Sequence, residues 1–234
     1  MLPAIHPEAD YRVRIFTLTQ ELPFAGHPTL GACHTWLAAG GSPMDADQVV
    51  QECGAGLVEI RTTGDRLAFA PPPLLRSGPV HAAFLGQLTE VLGIGADEII
   101  DSRWIDNGPG WVGILLKDAK AVLDVEADFN RYTGPGPLDI GLIGPHPDGS
   151  EAAFEIRALF SDDQGAMRED PVTGSLNAAA GQWLFATGRA NSPYLARQGT
   201  RLGRNGQVHV ERDADGRVWV GGHTITHVEG NLST

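Results

Sequence analysis

Apolar residues recur along this chain with two different periods. YRVRIFT (residues 11–17) places Tyr11, Val13 and Ile15 on one face and Arg12, Arg14 and Phe16 on the other, the alternation of a half-buried strand. Further strands are predicted at residues 48–53, 56–62, 66–70, 98–105, 111–116, 138–143, 154–160, 207–212, 217–220 and 224–229, each closed by turn residues. Residues 80–92 carry helical spacing. Two other segments, 28–39 and 176–188, are small and apolar with almost no charge and close on glycine, which predicts helices buried on most sides.

The entrances to those two helices form a weak internal repeat. GHPTLG (26–31) leads into a helix ending WLAAG (36–40), and EDPVTGS (169–175) into one ending WLFATG (183–188). In each, an ionisable residue, His27 or Asp170, stands just before a proline, a residue favoured in a first helical turn because its missing N–H would be unpaired there. A repeat of about half the chain predicts an α/β protein of two pseudo-symmetric lobes, each wrapping sheet around one buried apolar helix. The expected lobes are residues 1–106, with 224–234 returning to complete the first, and residues 107–223.

Helix entrances carry unpaired N–H groups and the positive end of the dipole, so two of them facing a cleft favour a carboxylate-bearing small molecule. Gly26, Gly31 and Gly174 leave room for a ligand at the backbone, His27 and Asp170 are the candidate proton-transfer groups, and Ser175 is a candidate donor. On position alone, Asp170 is more often an N-cap than a catalyst and His27 more often structural, while Thr173 and Ser175 read also as capping residues and Glu169 as a complement to the dipole. The shared proline-helix grammar is what raises the chemical reading.

Composition narrows the field further. A net charge of −12 and 17 scattered Lys and Arg residues argue against nucleic acid or anionic membranes as partners. No run reaches the roughly 20 apolar residues of a membrane span, and MLPAIHPEAD lacks the regions of a signal peptide, so a cytoplasmic protein is expected. The cysteines, Cys33 and Cys53, are too few for a disulfide framework or a four-cysteine metal site and read as buried thiols.

Taken together, FAGHPTLG (24–31), QECGAGL (51–57), WIDNGP (104–109), REDPVTGS (168–175) and RQGTRLGRNG (197–206) resemble the PhzF-like family, named for a phenazine-biosynthesis isomerase. The resemblance runs along nearly the whole chain in order. It implies a diaminopimelate-epimerase-like fold, each of two lobes a barrel-like sheet around a central helix with the active site between them, a homodimer needing no metal or organic cofactor, and isomerisation by acid/base proton shift, as on trans-2,3-dihydro-3-hydroxyanthranilate. It further implies that Gly26, His27, Asp170, Gly174 and Ser175 contact substrate or handle protons.

The family's general acid/base glutamate belongs to an S-E-T-x-F segment preceding the strand at residues 11–17; neither Glu8 nor Glu21 lies in such a motif, and the role is transferred to neither. Without that segment, the resemblance implies a first lobe shortened at its N-terminus, which is expected to expose sheet edges and apolar faces; the chain is either the product of a mis-assigned start or a shortened member lacking the isomerase chemistry. One alternative is therefore a small-molecule binder without turnover. Another, a racemase with one thiol per lobe, fits poorly, since Cys33 and Cys53 both lie in the first lobe and Cys33 lies over a turn past its helix entrance.

Overall fold

The computed structural model describes residues 1–17, 21–162 and 164–230. Its contacts divide the chain into two units, Met1–Ala70 with Gly221–Thr234, and Pro71–Val220. Residues 71–106, which the sequence reading places with the first lobe, pack with the second unit, and the break falls at the Pro71-Pro72-Pro73 run.

In the first unit, β1 (Tyr11–Arg12) runs parallel to β4 (Val49–Cys53), which continues antiparallel into β5 (Gly56–Thr63) and β6 (Arg66–Phe69). The strand expected across residues 11–17 divides, because β2 (Ile15–Phe16) leaves β4 to pair with β3 (Glu21–Leu22). Its predicted faces nevertheless hold: Tyr11, Val13 and Ile15 are buried while Phe16 is exposed. The strand expected at 224–229 does not form. Its apolar residues, Ile225 and Val228, are three apart and offer no common face, and both remain exposed.

The helix α1 (Gly26–Ala38) packs on β4 and β6 and buries one stripe, Gly26, Thr29 and Cys33. The expectation that it is buried on most sides fails for α1 and holds for its counterpart in the second unit.

The second unit is a mixed sheet. β7 (Arg76–Pro79), β8 (Ile99–Asp106), β9 (Val112–Leu116), β10 (Asp139–Pro145), β11 (Phe154–Ser161), β13 (Tyr194–Gln198), β14 (Gly206–Arg212) and β15 (Val218–Gly222) follow one another across it, and β12 (Met167–Asp170) pairs with β11. The helices α2 (Ala82–Leu92) and α3 (Ala119–Asp124) cover one face, where Leu88, Val91, Leu92 and Val122 meet Val112, Ile114, Ile140 and Leu142.

The helix α4 (Gly174–Ala186) fills the other side of this sheet and buries nine of its residues. Gly113 in β9 lies against Trp183, Gly141 in β10 against Leu176, and Gly181 of the helix against Val210 of β14 and Val218 of β15. Strands from both halves of the sheet thus reach one helix, and the sheet curls around it. Because β9 is covered on both faces, all five of its residues are buried, which explains its unbroken apolar run.

Candidate active site

The structure corrects the register of the internal repeat. Both central helices start on a glycine, Gly26 and Gly174, and Glu21, Pro23, Gly26 and Gly40 fall opposite Glu169, Pro171, Gly174 and Gly188. The counterpart of His27 is therefore Ser175, not Asp170. Pro28 lies inside the first turn of α1, where no N–H is needed, whereas Pro171 lies in the loop before α4 and Asp170 is the last residue of β12.

In this register each unit has a fully buried strand glutamine beside its helix entrance. Gln51 of β4 donates to Thr29 Oγ1 at 3.1 Å and accepts from the Tyr11 hydroxyl at 3.1 Å. Gln198 of β13 is held more tightly: its Oε1 accepts from the Thr173 N–H at 3.0 Å and from Asn177 Nδ2 at 2.7 Å, and its Nε2 donates to the Asp170 carbonyl at 2.9 Å and to Thr173 Oγ1 at 3.0 Å. Thr29 and Asn177 are each the fourth residue of their helix.

Thr173 is the N-cap residue of α4, but its hydroxyl makes no capping bond and donates to Asp170 Oδ2 at 2.6 Å. In neither central helix does the N-cap side chain, Ala25 or Thr173, make a capping bond, and neither helix has an acidic residue in its first turn.

Behind Asp170, the strand β12 is fixed by its neighbour Glu169. The Arg157 guanidinium donates to both Glu169 oxygens, at 3.1 and 2.9 Å, and to the carbonyls of Val122 and Val125 at the end of α3. In front, the β13–β14 turn presses on Pro171. A Cβ on Gly199 would lie 2.6 Å from the Pro171 carbonyl oxygen, and Gly199 has a φ of +87°, a region that L side chains rarely adopt. Gly199→Ala is expected to cost about 2 kcal/mol in urea unfolding, through strain transmitted to the Asp170 loop.

Ser175 is held by the loop between β8 and β9. Asp106 Oδ1 accepts from the N–H groups of Gly108 and Gly110, closing a turn that brings Asn107 Nδ2 to within 2.9 Å of the Ser175 carbonyl and Trp111 Nε1 to within 3.0 Å of Ser175 Oγ. Because an indole N–H only donates, Ser175 Oγ accepts there and its own proton points elsewhere. The DNG and RQG motifs mark this support in the sequence, but buried polar partners such as Asn107, Trp111, Asn177 and Gln198 have no periodic signal that assigns them.

Asp139 stands beside this loop at the start of β10, near Gly110. Its carboxyl is raised to about 7, first by burial and then by the Asp106 charge. The folded state therefore holds this proton more tightly than the unfolded chain, and stability falls as pH rises from about 4 to about 7. Asp139→Asn is expected to be near neutral at pH 4 and to stabilise by on the order of 2 kcal/mol at pH 8, measured by urea unfolding at both values.

At the entrance of α1, Gly26 is buried and His27 is exposed, its ring without a hydrogen-bond partner among the described residues. The cysteines carry no activated thiol: burial pushes Cys33 up to about 11 and raises Cys53 as well, the opposite of what a thiol racemase needs. Among the described residues no cluster of three His, Cys, Asp or Glu side chains is placed to hold a metal, and no helix is long and apolar enough to cross a membrane.

Comparison with known proteins gives a consistent answer. The family model described as "Phenazine biosynthesis-like protein" (PhzC-PhzF) matches residues 1–230. "Antisense-enhancing sequence 1" of Schizosaccharomyces pombe is 29% identical over 246 residues, covering 95% of this chain and 79% of the relative. The trans-2,3-dihydro-3-hydroxyanthranilate isomerase of Pseudomonas aeruginosa is 27% identical over 235 residues, covering 95% and 79%. Several other relatives are also named isomerases. The crystal structure of a PhzF-family protein from Bacillus anthracis superposes with a TM-score of 0.72 at 16% identity, covering 94% of this chain and 79% of that one, which extends the likeness to the fold. This chain belongs to the PhzC-PhzF family of phenazine biosynthesis-like proteins.

Proposed function

We propose that this chain is an isomerase that shifts a proton within a small carboxylate-bearing molecule by acid/base chemistry, with no metal or organic cofactor. Asp170 and His27 handle protons, while Gly26, Gly174 and Ser175 contact the substrate. The observation that carries this reading is the setting of Asp170: its carboxylate accepts from the Thr173 hydroxyl immediately before a helix entrance whose N-cap side chain makes no capping bond. Such an entrance suits a substrate carboxylate, and a positioned carboxylate beside it suits proton transfer. Membership of a family with members named as isomerases supports the reaction class. As the resemblance implies, the protein works as a homodimer, a state that light scattering on the purified chain tests.

The test of activity is incorporation of solvent deuterium into a panel of unsaturated and amino carboxylic acids. Incorporation into one of them, lost in His27→Ala and in Asp170→Asn, supports the isomerase. Binding of a panel member with no exchange would assign the chain to small-molecule binding without turnover.

A further inference from the structure

The bonds around Gln198 fix more than the backbone of the loop. A backbone N–H can only donate and a backbone carbonyl can only accept, so the Thr173 N–H must face the Gln198 oxygen and the Asp170 carbonyl must face its nitrogen. The amide therefore has one orientation. Its second N–H then points at Thr173 Oγ1, which must accept it, and the hydroxyl proton of Thr173 is left to donate to Asp170 Oδ2. Gln198 is fully buried and Thr173 is nearly so, which keeps water from competing for either bond.

We propose that Gln198 is a positioning residue that acts through Thr173 on Asp170: its amide dictates the direction of the Thr173 hydroxyl proton, and that proton holds the Asp170 carboxylate in one orientation. Asn177 completes the device by donating to Gln198 Oε1 and to the Thr173 carbonyl, so that strand β13, the loop and the first turn of α4 form one unit. The catalytic consequence rests on the reading of Asp170 as a proton-handling group; the hydrogen-bond relay itself does not.

Two measurements separate those claims. In NMR spectra of the full chain, the Thr173 hydroxyl proton is expected in slow exchange with water, with cross-peaks to the Gln198 side-chain amide. Gln198→Glu, which keeps the acceptor for the Thr173 N–H but replaces the donor by oxygen, is expected to remove those cross-peaks. Absence of the hydroxyl signal in the wild type, or its persistence unchanged in a folded Gln198→Glu protein, would overturn the relay. In the exchange assay, Thr173→Val and Gln198→Glu are expected to lower kcat about 10- to 100-fold with KM little changed, and Thr173→Ser to stay close to wild type because it keeps the hydroxyl. An effect confined to KM, or a Thr173→Ser protein as slow as Thr173→Val, would overturn the positioning role. If the wild type binds a carboxylic acid and exchanges nothing, the isomerase reading fails while the NMR result still decides the relay.

Discussion

Asp170→Asn is expected to slow solvent-proton exchange about 10²- to 10⁴-fold while leaving the fold intact, the range lost when a positioned acid/base group is removed. The substitution is nearly isosteric, and the asparagine oxygen can still accept from Thr173, 2.6 Å away in the native chain. The loop should therefore keep its shape. What disappears is the carboxylate to which the proposed function gives the proton transfer. The expected pattern is a collapse of kcat with KM changed by a small factor, alongside native circular dichroism and an unchanged urea midpoint. Exchange at the wild-type rate in Asp170→Asn would reduce Asp170 to an acceptor that shapes the loop. A large fall in the urea midpoint would instead mean that its carboxylate is structural, since Asp170 also belongs to the bonded network behind α4.

Much of this arrangement was legible in the sequence. Both central helices, the strands between residues 48 and 70 and most strands of the second unit follow from period and punctuation alone, because in those segments one face is apolar and turn residues mark the ends. The elements that escaped had weaker signals. β7 reads Arg-Ser-Gly-Pro and β12 reads Met-Arg-Glu-Asp, and each is held by pairing with a neighbour rather than by an apolar face. β13 reads Tyr-Leu-Ala-Arg-Gln and buries an alternating face of Tyr194, Ala196 and Gln198, but the buried glutamine and the partly exposed Leu195 blur its pattern in the sequence. The helix α3 is too short, at six residues, to show a period. The candidate residues Asp170, Gly174 and Ser175 were marked by motif, but their register against His27 was not. The two prolines that follow ionisable residues suggest one alignment, yet the helix starts align the glycines, and it is the Glu-x-Pro-x-x-Gly spacing, present in ELPFAGH and EDPVTGS, that carries the repeat.

The support beneath that loop predicts the largest effect on stability. Arg157 and Glu169 have side-chain exposures of 4% and 9% and form a bidentate ion pair, with the guanidinium also satisfying two carbonyls at the end of α3. Arg157→Leu would leave the Glu169 carboxylate buried without its countercharge and the Val122 and Val125 carbonyls without their donor. Taking one partner from a buried pair costs about 3–5 kcal/mol, because the remaining charge has been removed from water and nothing offsets it. A loss of that size is expected in urea unfolding of Arg157→Leu. Glu169→Gln, which keeps an acceptor for the guanidinium, should cost less. The double variant Arg157→Leu/Glu169→Leu is expected to recover much of the loss, since an apolar pair of similar volume removes the uncompensated charge. Additive costs in this cycle would show that the two side chains do not act as a pair. If the coupling is large, β12 is anchored to α3 through a buried charge pair, and Asp170, the next residue after Glu169, takes its position from that anchor.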